Sequence, residues 1–146
     1  MRLQQVSVFL ENKTGRLNSV IHTLATAGIN ITTLTLADTQ QFGILRLIIE
    51  NWQEAKAVLE EAGAVVRVTD VLALEVKDEP GGLAAILSTV HDVGVGVEYM
   101  YAFTVKAQEH AVLIFRFDDM DKAIKALCER GVHLISPAQL FKHPSA

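Results

Sequence analysis

The feature that most constrains the fold of this chain is an internal repeat, because both copies must form the same structural elements. At an offset of 66 residues, GRLNSVIHTLATAGINI (Gly15 to Ile31) aligns with GGLAAILSTVHDVGVGV (Gly81 to Val97). At an offset of 68, GILRLIIEN (Gly43 to Asn51) aligns with AVLIFRFDD (Ala111 to Asp119), so the second copy carries a two-residue insertion. The sequence therefore predicts one structural unit written twice.

Hydrophobic periodicity predicts the same order of elements in both copies. Apolar residues alternate along the predicted strands, and they recur at helical spacing in the predicted helices. In the first copy we predict strand Gln4 to Leu10, a helix through Leu17 and Leu24, strand Ile29 to Ala37, strand Gly43 to Glu50, helix Gln53 to Ala62 and strand Val65 to Val68. In the second we predict strand Val71 to Val76, helix Leu83 to His91, strand Val95 to Phe103, strand Ala111 to Phe117, helix Met120 to Glu129 and a last strand near His133 to Leu140.

This order of elements predicts an α+β fold made of tandem ferredoxin-like βαββαβ units. Each unit is expected to form an antiparallel sheet with both helices on one face. The expected domains are 1–70 and 71–141, followed by a loose tail at 142–146. No Pro, Gly or Ser linker separates the domains, because VVRVTDVLALEV runs from the last strand of one almost directly into the first strand of the next.

Composition and charge narrow the functional classes. Half of the 146 residues are hydrophobic, the formal net charge is −4, and no stretch is strongly basic, so we expect neither a nucleic acid nor a membrane as partner. The N-terminus does not resemble a signal peptide, and the single cysteine, Cys128, allows no intrachain disulfide. The five histidines share no metal-ligand spacing. We therefore expect a cytoplasmic protein without a metal or cofactor.

Several short segments carry a resemblance to a known family. FLENKTGRL (Phe9 to Leu17) and AGINI (Ala27 to Ile31) resemble the ACT domain, a regulatory module of amino-acid-controlled enzymes such as phosphoglycerate dehydrogenase and aspartate kinase. ENKTGRL, FGILR (Phe42 to Arg46) and EYMYAF (Glu98 to Phe103) are similar to free-standing bacterial proteins made of two ACT domains. The resemblance covers essentially the whole chain. It implies a non-catalytic, allosteric amino-acid sensor, a homodimer, and a regulated metabolic enzyme as a further partner.

The resemblance also implies a ligand site in the first copy, at the interface between ACT domains. There, the amides at positions Asn12 and Asn30 bind the polar head of a free amino acid. The start of the first helix suits the ligand's carboxylate, because backbone N–H groups and the helix dipole both favour an anion. The remaining candidate residues of this site are Leu10, Lys13, Thr14, Gly15, Arg16, Leu17 and Ile31.

The second copy departs from this pattern where the ligand's head would lie. Asp78 replaces Asn12 and Gly96 replaces Asn30, so the two pockets are not expected to be chemically alike. Pro80 suits the first turn of the following helix. The other candidates in this copy are Gly81, Gly82, Leu83, Glu98 and Tyr99. The sequence does not decide whether one or both pockets are occupied.

Other interpretations remain open at this point. Asn12 could simply cap the first helix, and Asn30 could simply relax a tight turn after Gly28. The chain could be a ligand-free scaffold that joins partner proteins. It could also be an acylphosphatase-like enzyme with Arg16 and Asn12 as the catalytic pair, although ENKTGR lacks the glycine run of that family's phosphate loop.

Overall fold

The computed structural model describes residues 2–38, 41–103 and 110–142. Its elements, in chain order, are β1 Leu3–Glu11, α1 Arg16–Thr26, β2 Thr33–Asp38, β3 Phe42–Ile48, α2 Trp52–Glu61, β4 Val65–Lys77, α3 Gly82–Asp92, β5 Val97–Phe103, β6 His110–Phe117, α4 Met120–Glu129, β7 Leu134–Ile135 and α5 Pro137–Leu140. By their contacts the residues form two compact units, one of Gln4–Thr69 and one of the residues up to Leu3 together with those from Asp70 onward. The βαββαβ order thus occurs twice, as the repeat predicts.

In the N-terminal unit, Gln4–Thr69, the strands lie in the order β2-β3-β1-β4. Strand β3 pairs antiparallel with both β1 and β2. Alternate residues of β1 and β3 are buried together with the inner faces of α1 and α2. The cluster consists of Val6, Val8, Leu10, Val20, Leu24, Ile29, Leu45, Leu47, Ile49, Ala55 and Leu59. Both helices therefore cover one face of the sheet, since these strand positions alternate with period two.

In the C-terminal unit, β6 pairs antiparallel with β4 and β5, and β7 pairs with the other side of β4. Its core has the same design, with strand residues buried against α3 and α4. Leu127 here corresponds to Leu59 in the first unit, and both side chains are fully buried. No helix of residues 2–38, 41–103 and 110–142 is both long and apolar enough to cross a membrane.

The structure corrects the expectation of a last strand near His133 to Leu140. Strand β7 is only two residues long, and helix α5 follows it at once. Ser136 starts this helix, since its side chain accepts a hydrogen bond from Gln139 N–H while the Gln139 side chain bonds back to Ser136 N–H. Pro137 occupies the first helical position, where its missing N–H has no cost. These local signals outweigh the apolar pattern of the segment.

Two further boundaries differ from the predicted ones. The predicted strands Val65 to Val68 and Val71 to Val76 are one continuous strand, β4, because no Gly or Pro interrupts the chain between them. Strands β2 and β5 begin at Thr33 and Val97, later than predicted. Of the predicted tail, 143–146 lie outside the described residues, and Lys142 is exposed.

We predict that Leu59→Ala and Leu127→Ala each lower the free energy of unfolding by about 2–5 kcal/mol, because each removes a fully buried side chain from the core of its unit. Chemical denaturation of the full chain, followed by circular dichroism, measures this change. Leu34→Ala is the control: Leu34 is 47% exposed, so its loss should cost about 1 kcal/mol or less. Equal losses at Leu34 and Leu127 would contradict the repeated core.

Candidate functional site

The loop between β1 and α1 begins the candidate site. Gly15 is the N-cap residue of the helix, with a φ of 92°, a left-handed conformation that glycine adopts without strain, and it provides no side-chain cap. The N-cap position of α1 is therefore occupied by Gly15 and not by Asn12. Arg16 N–H donates to the Lys13 carbonyl at 3.2 Å, and Ser19 N–H to the Gly15 carbonyl at 2.9 Å.

Two N–H groups in the first turn of α1 remain open. Within the described part of the chain, the N–H groups of Leu17 and Asn18 have no acceptor. The unpaired N–H groups and the positive end of the helix dipole together favour an anion at this position. The backbone at the start of α1 is thus suited to a carboxylate.

The loop carries a small network of charges. Lys13 Nζ lies 3.1 Å from a Glu11 carboxylate oxygen, and an Arg16 guanidinium nitrogen lies 3.7 Å from the same oxygen. The hydrogen bond and charge of Lys13, and then the charge of Arg16, lower the pKa of Glu11 below its ordinary value. All three side chains are exposed, so the network orients the loop and contributes little to stability.

A cavity of about 190 Å³ lies beside this loop. It brings together four of the predicted residues, Leu10, Asn12, Lys13 and Leu17. Glu11, Leu36, Asp38 and Gly43 complete its lining. Sequence reasoning missed all four. For Leu36, Asp38 and Gly43, only strand pairing reveals the position, because Leu10 and Asp38 both lie opposite Gly43, on either side of β3.

Other predicted residues of the first copy lie elsewhere. Thr14 and Gly15 are exposed in the loop and do not line the cavity. Arg16 instead lines a second, larger cavity of about 310 Å³ on another side of α1.

Asn30 and Ile31 follow the far end of α1, before β2 begins. Helix α1 has 11 residues and spans ~16 Å, so within one unit Asn30 and Asn12 are separated by the length of the helix.

The corresponding loop of the C-terminal unit keeps the same backbone. Gly81 has a φ of 89°, and Ala85 N–H donates to its carbonyl at 3.0 Å, as at Gly15 and Ser19. Helix α3 begins only at Gly82, so Pro80 precedes the cap and does not lie in the first turn as predicted. Asp78 is exposed, and so is Leu83, which begins the apolar face of α3.

A close backbone contact sets Gly82 apart from its counterpart, Arg16. A Cβ atom at Gly82 would lie 2.2 Å from the Lys77 carbonyl oxygen, a distance at which the backbone must shift. In the C-terminal unit, the loop backbone at Lys77 therefore packs directly against the first residue of α3. The N-terminal unit carries an arginine at the equivalent position.

Gly96, the equivalent of Asn30 in the C-terminal unit, also has different surroundings. Gly96 N–H donates to the Asp118 carboxylate at 3.0 Å, and Asp118 N–H donates to the Gly96 carbonyl at 3.0 Å. A Cβ atom at Gly96 would lie 2.8 Å from the other carboxylate oxygen of Asp118. A carboxylate thus occupies the space that a side chain at this position would need.

Glu98 and Tyr99 lie on β5 next to Arg116. The Arg116 guanidinium is 3.5 Å from the Glu98 carboxylate and also donates to the Asp70 carbonyl at 2.8 Å. Tyr99 lies opposite Arg116 in the β5–β6 register and is half-buried. Arg116 therefore contacts both β5 and β4 at this point.

Within residues 2–38, 41–103 and 110–142, no group of three or more His, Cys, Asp or Glu side chains could hold a metal ion.

We predict that Gly15→Ala and Gly81→Ala each destabilise the fold by about 1–2 kcal/mol, because an L-residue is strained at a left-handed φ. Nothing lies within 4 Å of a Cβ built at either glycine, so the cost is conformational and not steric. Chemical denaturation measures it. Gly15→Asn is the matched control and should cost less, since asparagine tolerates this conformation better. If the native and Gly15→Ala chains were equally stable, an L-residue would not be strained at this position.

We also predict that Lys13→Met raises the pKa of Glu11 toward its ordinary value, measured by NMR titration of the side-chain carboxyl. The lowered pKa means that the network stabilises the folded chain above the carboxyl's unfolded pKa, and that this contribution is lost as pH falls through the lowered value. Lys56→Met, which removes an equivalent charge beside Glu60, should leave Glu11 unchanged. An unchanged Glu11 pKa in Lys13→Met would contradict the assignment.

Comparisons with known proteins place these features in a family. A family model described as an ACT domain pair matches residues 1–143. The crystal structure of protein BT0572 from Bacteroides thetaiotaomicron shares 38% identity, covers 98% of both chains and superposes with a TM-score of 0.90.

Two other proteins show similarity at lower identity. The ligand-free regulatory subunit of aspartate kinase from Thermus thermophilus has the same fold, with a TM-score of 0.61 at 17% identity over 86% of this chain and 91% of that one. The acetolactate synthase small subunit of Buchnera aphidicola is 29% identical over 80 residues, which span 54% of this chain and half of that relative. With the family model matching nearly its whole length, the chain belongs to the ACT domain family and consists of an ACT domain pair.

Proposed function

We propose that this protein is a non-catalytic regulatory sensor that binds a free amino acid at the loop between β1 and α1 of its N-terminal unit. The observation that carries the proposal is the cavity of about 190 Å³, which is lined by four of the residues that sequence reasoning assigned to a ligand. It lies where α1 begins and where two backbone N–H groups are open. A cavity with polar groups at one end and apolar walls is the usual form of a small-molecule site.

The groups around the cavity match the parts of an amino acid. The open N–H groups of Leu17 and Asn18 suit its carboxylate, aided by the helix dipole. The Asn12 amide and the Asp38 carboxylate are acceptors that suit its ammonium group. The three leucines of the lining, Leu10, Leu17 and Leu36, offer an apolar wall to its side chain.

The two loops are not proposed as equal sites. In the C-terminal unit, a carboxylate at Asp78 replaces the Asn12 amide and would repel the ligand's carboxylate. Gly82 is packed against the Lys77 backbone, and Asp118 fills the space beside Gly96. We therefore propose the N-terminal loop as the principal site. The loop from Asp78 to Leu83, with Gly96, Glu98 and Tyr99, is proposed as a weaker one.

In this proposal, the N-terminal unit of one chain does not provide all the residues that contact the ligand. Asn30 and Ile31 are at the opposite end of α1 from Asn12, so we propose that they serve a ligand held by the loop of another ACT domain, within a homodimer. The domains are proposed to be 1–70 and 71–141. The names of the relatives include a regulatory subunit of aspartate kinase and a small subunit of acetolactate synthase. They support the proposal that this chain regulates a metabolic enzyme in response to its ligand.

A thermal shift screen of the full chain against the twenty amino acids tests the proposal. A binder should stabilise the fold by RT ln(1 + [L]/Kd), or about 2.7 kcal/mol at a hundredfold excess over Kd, whereas a scaffold shows no shift. For the amino acid that shifts the melting temperature, Asn12→Ala should weaken binding by about tenfold in calorimetry, since a hydrogen bond to a charged group is lost. Asp78→Ala is the matched control in the second repeat and should have little effect.

The outcomes separate the alternatives. No shift with any amino acid would contradict the sensor, and an effect of Asp78→Ala alone would move the site to the C-terminal loop. Hydrolysis of an acyl phosphate by the native chain, abolished in Arg16→Ala, would favour the enzyme instead.

A further inference from the structure

The larger cavity of the N-terminal unit lies next to the proposed amino-acid site and shares Leu10 and Glu11 with it. Its volume is about 310 Å³, equal to about ten water molecules, since one water occupies ~30 Å³ in the liquid. One wall is the face of α1 with Arg16, Ser19, Val20 and Thr23, and another is formed by the end of α2 and the turn after it. Most of its lining is apolar, with Arg16 as its cation and Glu11 as its carboxylate. It can hold a ligand of roughly ten non-hydrogen atoms.

The second repeat shows which lining residues the fold itself requires. Thr23 corresponds to Thr89, and each hydroxyl donates to the carbonyl four residues earlier at 2.9 Å, so this threonine has a structural role in both units. Arg16 and Ser19 correspond to Gly82 and Ala85. The same helix is therefore built without the arginine and the serine, and the scaffold does not explain these two residues.

The opposite wall differs between the repeats as well. Ala62 and Ala64 correspond to Arg130 and Val132, which are larger side chains. The N-terminal unit thus combines small residues on the α2 side with polar residues on the α1 side. This combination keeps the space open and places hydrogen-bond donors at its edge.

The donors at this edge are available to a ligand. The Glu11 carboxylate is 3.7 Å from the Arg16 guanidinium, which is too long for a hydrogen bond. Glu11 is bonded instead to Lys13 at 3.1 Å, which compensates its charge. The Ser19 hydroxyl makes no hydrogen bond within the described residues. A guanidinium with open donors binds a carboxylate in a bidentate manner.

We propose that the cavity between α1 and α2 of the N-terminal unit is a second ligand site, which takes a monocarboxylate with an apolar body and no amino group. Arg16 and the Ser19 hydroxyl bind the carboxylate, and the body lies among Val20, Leu59, Ala62 and Ala64. The absence of an amino group follows from the charges, because Glu11, the carboxylate of the lining, is already paired with Lys13 and Arg16, while the Arg16 guanidinium donates no hydrogen bond to it at 3.7 Å. The two cavities share Leu10 and Glu11, but the residues that carry this proposal, Arg16, Ser19, Ala62 and Ala64, line only the larger one.

Calorimetry on the full native chain with hydrocinnamate and isocaproate tests the proposal, with hydrocinnamamide as the uncharged analogue. Both acids should bind in the millimolar range or tighter, and the amide should bind at least about tenfold more weakly because it lacks the charge that Arg16 recognises. Arg16→Gln should weaken binding of the acids by a similar factor. Arg130→Gln removes the same charge from the other unit and should have no effect.

Two further variants keep the test decisive. Ala64→Val introduces the residue that the second repeat carries, so the fold should tolerate it while the smaller cavity binds hydrocinnamate more weakly. Asn12→Ala should leave acid binding unchanged, which separates this site from the amino-acid site. The proposal is overturned if neither acid binds, if the amide binds as well as the acid, or if Arg16→Gln and Arg130→Gln behave alike.

Discussion

The burial of one face of each sheet against two helices is the constraint on which the other features depend. In the N-terminal unit, Val8 and Leu10 of β1 are packed in the same core as Val20 and Leu24 of α1. The chain must therefore turn from the end of the strand to the start of the helix within the few residues from Asn12 to Gly15. This turn brings open N–H groups and charged side chains to one end of the sheet. Both cavities described above lie beside it.

Duplication explains why the turn can change its chemistry without losing its shape. Gly15 and Gly81 adopt nearly the same left-handed conformation, and the hydrogen bonds that follow them are equivalent. Around this common backbone, Arg16 is replaced by Gly82. Since each unit has its own core, side chains outside the core can differ between the copies without disturbing the packing of either.

The repeat and its periodicity predicted much of the fold, because burial leaves a local pattern in the sequence. Leu59 and Leu127 were identified as equivalent positions, and both are fully buried. The prediction failed where local chemistry outweighs hydrophobic pattern. Ser136 and Gln139 form a reciprocal cap that makes a helix of a segment predicted to be a strand. The predicted loop residues divide between two cavities, since Asn12 and Arg16 face different sides of the start of α1.

By itself, the sequence determined the duplicated βαββαβ order, the glycines that turn each strand into its helix, and the difference between Asn12 and Asp78 at equivalent positions. These features are readable because they depend on neighbours in the chain or on the comparison of one repeat with the other. Only the tertiary structure decided that Leu36, Asp38 and Gly43 join Asn12 in one cavity, and that Asp118 fills the space beside Gly96. The physical reason is that strand register and long-range packing bring these residues together, and neither leaves a periodic signal in the sequence.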